Sequence, residues 1–178
     1  MTDGTTFRMT LDRDSRSFRY FRNAVERHWD PGEIDLATDR EGAMALDDET
    51  FDRFRGAIAK FGAGEQAVTE DLAPLAVVTD DPADEAFLTT QLYEEAKHMD
   101  FFDRYWREVV TPAERERGIE PSLPTEDRWY VPAYDELFER TQDAMAHLLE
   151  EDTPETRAKA YCHYHLTVEG ILAQTGYY

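Results

Sequence analysis

Glu95 and His98 stand three positions apart in Glu94-Glu95-Ala96-Lys97-His98, inside a stretch that reads as a long helix. That spacing is close to one helical turn, so a carboxylate and an imidazole share a face and can grip the same ion. Such a Glu-x-x-His pair, joined by a second pair and by single glutamates from two other helices, is the ligand set that holds two metal ions inside a helical bundle. Glu65 and Glu169 are the other glutamate candidates. A second Glu-x-x-His does not occur in the 178 residues.

Each candidate also has a plainer reading. Glu65 falls on or beside the apolar face marked by Phe61 and Val68, where an isolated acid is costly unless it is paired or bound to metal. Glu95 and His98 share the stripe of Phe87 or Leu88, Leu92 and Phe102. A lone histidine there is more often a hydrogen-bonded core residue, and its spacing from Glu95 is what favours ligation. Glu169, taken alone, reads as an ion-pair partner of His165 one turn earlier. Three helices that each direct a glutamate at one core repel one another unless protons or cations neutralise them, and a divalent ion does so efficiently. Carboxylate-rich sets with few imidazoles suit iron and manganese better than zinc or copper.

The elements that must position these groups are all helical. Phe18, Phe21, Val25 and Trp29 recur at helical steps from Ser15 to His28, and Asp30-Pro31-Gly32 ends that helix. An irregular connection containing Ile34, Leu36 and Met44 is expected next. Asp47 or Asp48 then caps a long helix to about Val78, with Gly62 and Gly64 inside it just before Glu65. Glycines there cost about 1 kcal/mol each relative to alanine and point to close packing or a local distortion. Asp81-Pro82 opens the next helix, to about Val110. Thr111 to Pro132 reads as a connection, Pro132 to Leu149 as a fourth helix, and Thr153-Pro154 as the cap of a fifth that runs to the end. The expectation is an all-α single domain over residues 1–178, with ligand-bearing helices at about 47–78, 81–110 and 153–178.

Composition narrows the setting. The chain carries 39 acidic and 19 basic residues, a formal charge of -20, which argues against nucleic acid or an anionic membrane as partner. Lys60, Lys97 and Lys159 are its only lysines; acidity with arginine in place of lysine is expected of a cytoplasmic protein of a high-salt cell. With 41% hydrophobic and 12% aromatic residues the chain should fold despite its charge. Cys162, the single cysteine, precludes an intramolecular disulfide, fits a reducing compartment and reads as a small buried side chain. No apolar run suggests a signal peptide or a membrane span. His163 and His165, two apart, point to different faces and are not expected to ligate together.

Phe61 to Leu75, Tyr93 to Phe102 and Tyr164 to Tyr177 resemble the small subunit of ribonucleotide reductase and, more narrowly, its relatives the ligand-binding oxidases with a mixed manganese and iron centre. Trp29-Asp30-Pro31-Gly32-Glu33-Ile34-Asp35 is similar to the segment that precedes the bundle in that superfamily. The resemblance runs from about Phe21 to Tyr178. It implies a ferritin-like, carboxylate-bridged dimetal bundle in which Glu65, Glu95 and His98 hold a first ion, while Glu95 bridges to a second that Glu169 also binds. It implies manganese and iron, or two irons, as cofactor, and a long-chain fatty acid bound at the metals. It also implies an ether cross-link between Val68 and Tyr164.

Two further readings accompany the oxidase. A ribonucleotide reductase small subunit, docking on a large subunit, is the runner-up; the position that holds the radical tyrosine in many such subunits is Phe102 here. A non-enzymatic truncated or split-gene product is the third. The superfamily pattern calls for a fourth glutamate and second histidine on the helix after Glu169, so the expected fold lacks its last metal-bearing helix. A weak or inactive oxidase follows for this chain alone, with a homodimer or a complementing chain as the expected partner.

Overall fold

The long helix that carries Glu95 is set by its first residues. The Asp81 side chain accepts hydrogen bonds from the Ala83 and Asp84 amides, and Pro82 occupies the first helical turn, where its missing N–H is no loss. The computed structural model describes residues 10–176, and its helices are numbered here in chain order. They are α1 (Arg16–Glu26), α2 (Ala37–Ala45), α3 (Asp48–Asp71), α4 (Ala73–Val77), α5 (Pro82–Tyr105), α6 (Thr111–Glu116), α7 (Pro132–Glu150), α8 (Pro154–Tyr161) and α9 (Gln174–Gly176). A π-helical turn, Trp106–Val110, joins α5 to α6, and a longer π-helical stretch, Cys162–Ala173, joins α8 to α9.

Several boundaries differ from the sequence reading, each for a local reason. The segment expected to be irregular holds α2, which has no side-chain cap and only Ala43 buried, so neither a cap nor an apolar stripe announced it. The helix expected to reach Val78 breaks at Leu72, because Pro74 has no amide to donate and its ring opposes the Glu70 carbonyl one turn back. The connection expected from Thr111 begins instead with α6. There the preceding π turn widens the backbone where the Pro112 ring would meet the Glu108 carbonyl, so the chain continues helical past the proline. Tyr177 and Tyr178, at the end of the expected fifth helix, lie outside the described residues.

α5 packs chiefly against α3 and α1, while α7 bridges α3, α4 and α8. Two apolar clusters result. One gathers Leu36, Phe51, Ala59, Tyr105, Trp106, Val109, Val110 and Trp129; the other gathers Val68, Leu72, Leu75, Leu88, Met145, Leu148, Tyr164 and Val168. Full burial of one such large side chain stabilises by roughly 1.5–3 kcal/mol. α3 contributes Phe51 and Ala59 to the first cluster and Val68 to the second, and α5 contributes Tyr105 and Leu88 in the same way. Glu65 lies between the two sets on α3, and Glu95 with His98 between the two sets on α5. The candidate ligands therefore form a polar waist between two dry halves.

Gly62 and Gly64 lie within unbroken α3, and their role is close approach. A Cβ added to Gly62 would meet the Phe102 Cβ at 3.3 Å, and one added to Gly64 would meet Phe138 Cζ and the Tyr134 hydroxyl at 3.4 Å. These missing side chains let α5 and α7 come near α3 beside Glu65. Across the first cluster, buried Arg55 donates to Glu114 Oε1 at 2.7 Å, and Glu114 Oε2 accepts from the Ser122 amide at 3.0 Å. That pair ties α3 and α6 to the connection leading to Trp129.

Candidate metal centre

Glu65, Glu95 and His98 converge. One ligand atom from each falls within 4.8 Å of the others, and among the described residues they are the metal-ligand-type group of this kind. His98 Nδ1 is 3.2 Å from Glu95 Oε2 and 3.4 Å from Glu65 Oε2. Helical spacing sets the first contact, and packing of α3 on α5 sets the second. Glu95 is 5% exposed, whereas His98 is partly open to solvent. The Tyr164 hydroxyl donates to Glu95 Oε1, which links the π stretch to α5.

The charges respond to this crowding. His98 is pushed up to about 10 by its contacts with Glu65 and Glu95. Burial raises Glu65. Burial also acts on Glu95, but hydrogen bonds from His98, Tyr164 and Glu65 outweigh it and hold Glu95 below its ordinary range. Burial, then the charges of Glu95 and Glu65, raise Glu169 to about 7. An imidazolium is thus the internal counter-ion of the metal-free cluster, and Glu169 is poised to keep a proton. Burial and the neighbouring Glu95 raise Tyr164 as well, so its phenol is neutral.

Glu169 faces the same waist, close enough to feel both other glutamates, but it stands outside the 4.8 Å group. Its expected pairing with His165 is absent: His165 Nε2 meets Gln91 Oε1 at 3.0 Å instead. The π winding explains this, because it aligns residues five apart rather than four and so brings Glu169 toward the side of Tyr164. Val68 and Tyr164 lie in one buried cluster and line one small crevice. Cys162, expected to be buried, is exposed on the outer face of the same stretch.

Trp29 closes the outer side of the site, a role the sequence reading did not assign. Its ring stacks on His98 with centroids 5.7 Å apart, and its indole N–H donates to Glu94 Oε2 at 2.9 Å. The buried Lys97 ammonium bonds Glu94 Oε1 at 2.8 Å and lies 4.7 Å above the Trp29 ring. The signal was present as a Glu-Lys pair three apart beside the ligand pair, but nothing local showed which ring it would hold.

On the inner side a cavity of about 620 Å³ opens between α3, α7 and the π stretch, with Glu65 and Glu169 in its wall. Val68, Phe138, Val168 and Leu172 supply its apolar lining.

Helices that each turn a carboxylate to a shared waist form a ferritin-like bundle of the dimetal-carboxylate kind. No protein-family model matches the chain. Solved structures do. An R2-like ligand-binding oxidase with aerobically reconstituted Mn/Fe cofactor is similar at a TM-score of 0.79 and 30% identity, over 95% of this chain and 57% of that one. A variant of such an oxidase with anaerobically reconstituted Mn/Fe cofactor gives 0.82 and 31%, again over 95% and 57%. A third, with its metal cofactor after photoconversion, gives 0.80 and 30% over the same shares. The chain spans about 57% of the length of these structures. The resemblance read from the sequence therefore holds in three dimensions. Among the described residues, no helix is long and apolar enough to cross a membrane.

Proposed function

We propose that the chain serves dioxygen activation at a carboxylate-bridged manganese/iron or di-iron centre, as a ligand-binding oxidase related to the ribonucleotide reductase small subunit. The observation that carries this reading is the convergence of Glu65 from α3 with Glu95 and His98 from α5, facing Glu169. Oxygen-rich donors with one imidazole fit hard or borderline divalent ions such as manganese and iron. Glu65, Glu95 and His98 would hold one ion, and Glu95 and Glu169 would offer a second position that is short of ligands. When bound, the metals supply redox chemistry toward dioxygen. The chain's own part is to set their surroundings: Tyr164 orients Glu95 by hydrogen bonding, Trp29 covers His98, and the two apolar clusters exclude water on either side. Val68 and Tyr164 share a buried crevice, which supports them as the pair joined in an ether cross-link.

The cavity beside Glu65 supports an acyl ligand, in the family a long-chain fatty acid. The incomplete ligand set supports a second copy or a complementing chain as the source of further donors. The excess of acidic residues supports a cytoplasmic protein of a high-salt cell.

The reductase small subunit is the second reading. Phe102, four residues after His98, is half-buried and stacks on Phe61 with ring centroids 5.5 Å apart, so that position packs between α3 and α5 and offers no phenol. This favours the oxidase. A non-enzymatic metal-binding fragment is the third reading.

Metal content measured after growth with both iron and manganese, together with oligomeric state, tests the proposal. The expected result for the chain alone is one tightly held ion, rising to two when another chain completes the site. A stable monomer that retains no metal and takes none up would sink it.

A further inference from the structure

Glu94-Glu95-Ala96-Lys97-His98 offers His98 two carboxylates, and the helix by itself does not choose between them. Glu95 stands three residues before His98 and Glu94 four, and both spacings bring side chains together on one helical face. The structure pairs His98 with Glu95 at 3.2 Å and, across the bundle, with Glu65 at 3.4 Å. Glu94 is turned elsewhere, and both of its oxygens are engaged. Oε1 accepts from the Lys97 ammonium at 2.8 Å, and Oε2 accepts from the Trp29 indole N–H at 2.9 Å. Lys97 is the buried one of the chain's three lysines, 5% exposed. Its ammonium lies 4.7 Å from the centre of the Trp29 ring and 5.0 Å from that of Tyr93, so two aromatic faces and one carboxylate stand in for its water. Tyr93 is itself stacked on His28, with centroids 5.9 Å apart and planes 5° from parallel. The segment that carries Trp29 is fastened to α5 a second time, where Arg104 Nη1 donates to the Pro31 carbonyl at 2.5 Å. A buried ion pair is a poor source of stability, because desolvation offsets the attraction, and its best-attested use is to fix one arrangement among several. The arrangement fixed here is the direction of Glu94.

We propose that Lys97 is a positioning residue for the metal centre: together with Trp29 it holds Glu94 out of the ligand set and so leaves His98 to Glu95 and Glu65. The exclusion matters for two reasons. A further carboxylate would take up a position on the ion that an incoming ligand needs, and a reactive metal site keeps such a position open. It would also add charge to a cluster of acids that already repel one another. The Glu94 side chain keeps 26% of its surface exposed, so water can serve it in its present direction, and Lys97 and Trp29 decide that it stays there. The inference deepens the metal-centre reading and rests on it, and it assigns which of two adjacent glutamates ligates.

Lys97→Met tests the proposal, because methionine keeps the unbranched stem between the two rings and removes the charge that holds Oε1. Lys97→Leu, a strong helix former, is the second such variant and serves should the first not fold. Crystal structures of wild type and variant are compared metal-free and after soaking with manganese(II), whose anomalous scattering locates the ion. In wild type Glu94 should stay with Lys97 and Trp29 in both states. In the variant it should turn to His98 without metal and enter the coordination shell when manganese is bound. The manganese electron paramagnetic resonance spectrum in solution should change accordingly. Adding Glu94→Gln to Lys97→Met should return that spectrum to the wild-type form, which a mere loss of packing would not allow, and Lys97→Arg should keep the wild-type form throughout. A Glu94 that stays in place in the variants, or a double variant as altered as the single one, would overturn the proposal. Wild type that takes up no manganese would count against the metal reading, and the metal-free structures would still decide this one.

Discussion

The Tyr164 hydroxyl donates its hydrogen bond to Glu95 Oε1, so a phenol from the π stretch is anchored on the most buried carboxylate of the cluster. The opposite oxygen of Glu95 meets His98 at 3.2 Å, which leaves both its oxygens engaged and its orientation set from two helices. The residue proposed to bridge two ions is therefore held by the residue proposed for the cross-link.

Tyr164→Phe tests that link. Loss of the donor should cost about 1–3 kcal/mol, because a buried carboxylate loses a partner. Val68→Ala should cost about 2 kcal/mol through lost burial and the space left behind. Denaturant midpoints measure both. Where another chain completes the site and the protein is loaded with metal in air, the peptide joining Val68 to Tyr164 should show a mass two hydrogens below the sum of its parts. Neither variant should yield that species.

Metal uptake should release protons and tighten with rising pH. His98 is raised to about 10 by Glu65 and Glu95, and Glu169 to about 7 by burial and its neighbours, and both must lose their protons to ligate. Affinity should climb from pH 5.5 to 8, where Glu169 gives up its proton and competition at His98 falls. Calorimetry in buffers of different ionisation enthalpy counts the protons released. A pH-independent affinity would remove these residues from the ligand set.

Without metal the sign reverses for stability. A pKa raised on folding stabilises below the unfolded value and is lost as pH rises through the folded one. Glu169 contributes fully below its ordinary 4.5 and loses that contribution up to about 7, and His98 contributes below 6.5 and is spent by about 10. Glu95, lowered, contributes above 4.5 and loses its share as acid is added. Urea midpoints of metal-free protein should thus fall from pH 6 to 10, while a chelator-free, metal-loaded sample should not follow.

Breaking the buried pair between Arg55 and Glu114 should be severe. Glu114→Ala leaves the buried Arg55 guanidinium with only the exposed Asp52 carboxylate, at 2.7 Å, as charge partner, a loss toward the lower end of about 3–5 kcal/mol. The Ser122 amide would lose its acceptor too, loosening the connection that places Trp129 in the cavity wall. Circular dichroism melts should show a large fall in midpoint.

Gly62 and Gly64 separate packing from propensity. Gly62→Leu must fit atoms where a Cβ already meets Phe102 at 3.3 Å, and should cost about 1–3 kcal/mol as α3 and α5 part, with metal binding weakened. Gly64→Ala meets only side-chain ends at 3.4 Å, so the helix-propensity gain of about 1 kcal/mol should offset it and leave stability nearly unchanged. Paired thermal melts decide this.

The local patterns of the chain determined much of this protein. Asp47 or Asp48 announced the start of α3, where Asp47 is the cap, and Asp81 that of α5, and the spacing of Glu95 and His98 placed both on one face, because a cap and a helical turn depend only on near neighbours. Glu65 was legible as an acid on an apolar face, and the quoted segments carried the resemblance that the solved structures bear out. Tertiary structure decided what spans distant residues. The contact of Glu65 with His98 needs α3 packed on α5, and the bond from Tyr164 to Glu95 joins groups 69 positions apart. The turn of Glu169 away from His165 depends on π winding, which the side-chain pattern does not encode. The cover of Trp29 over His98 and the tie of Arg55 to Glu114 likewise arise only when helices meet. Periodicity states which face of a helix is buried, and only packing states which neighbour it meets.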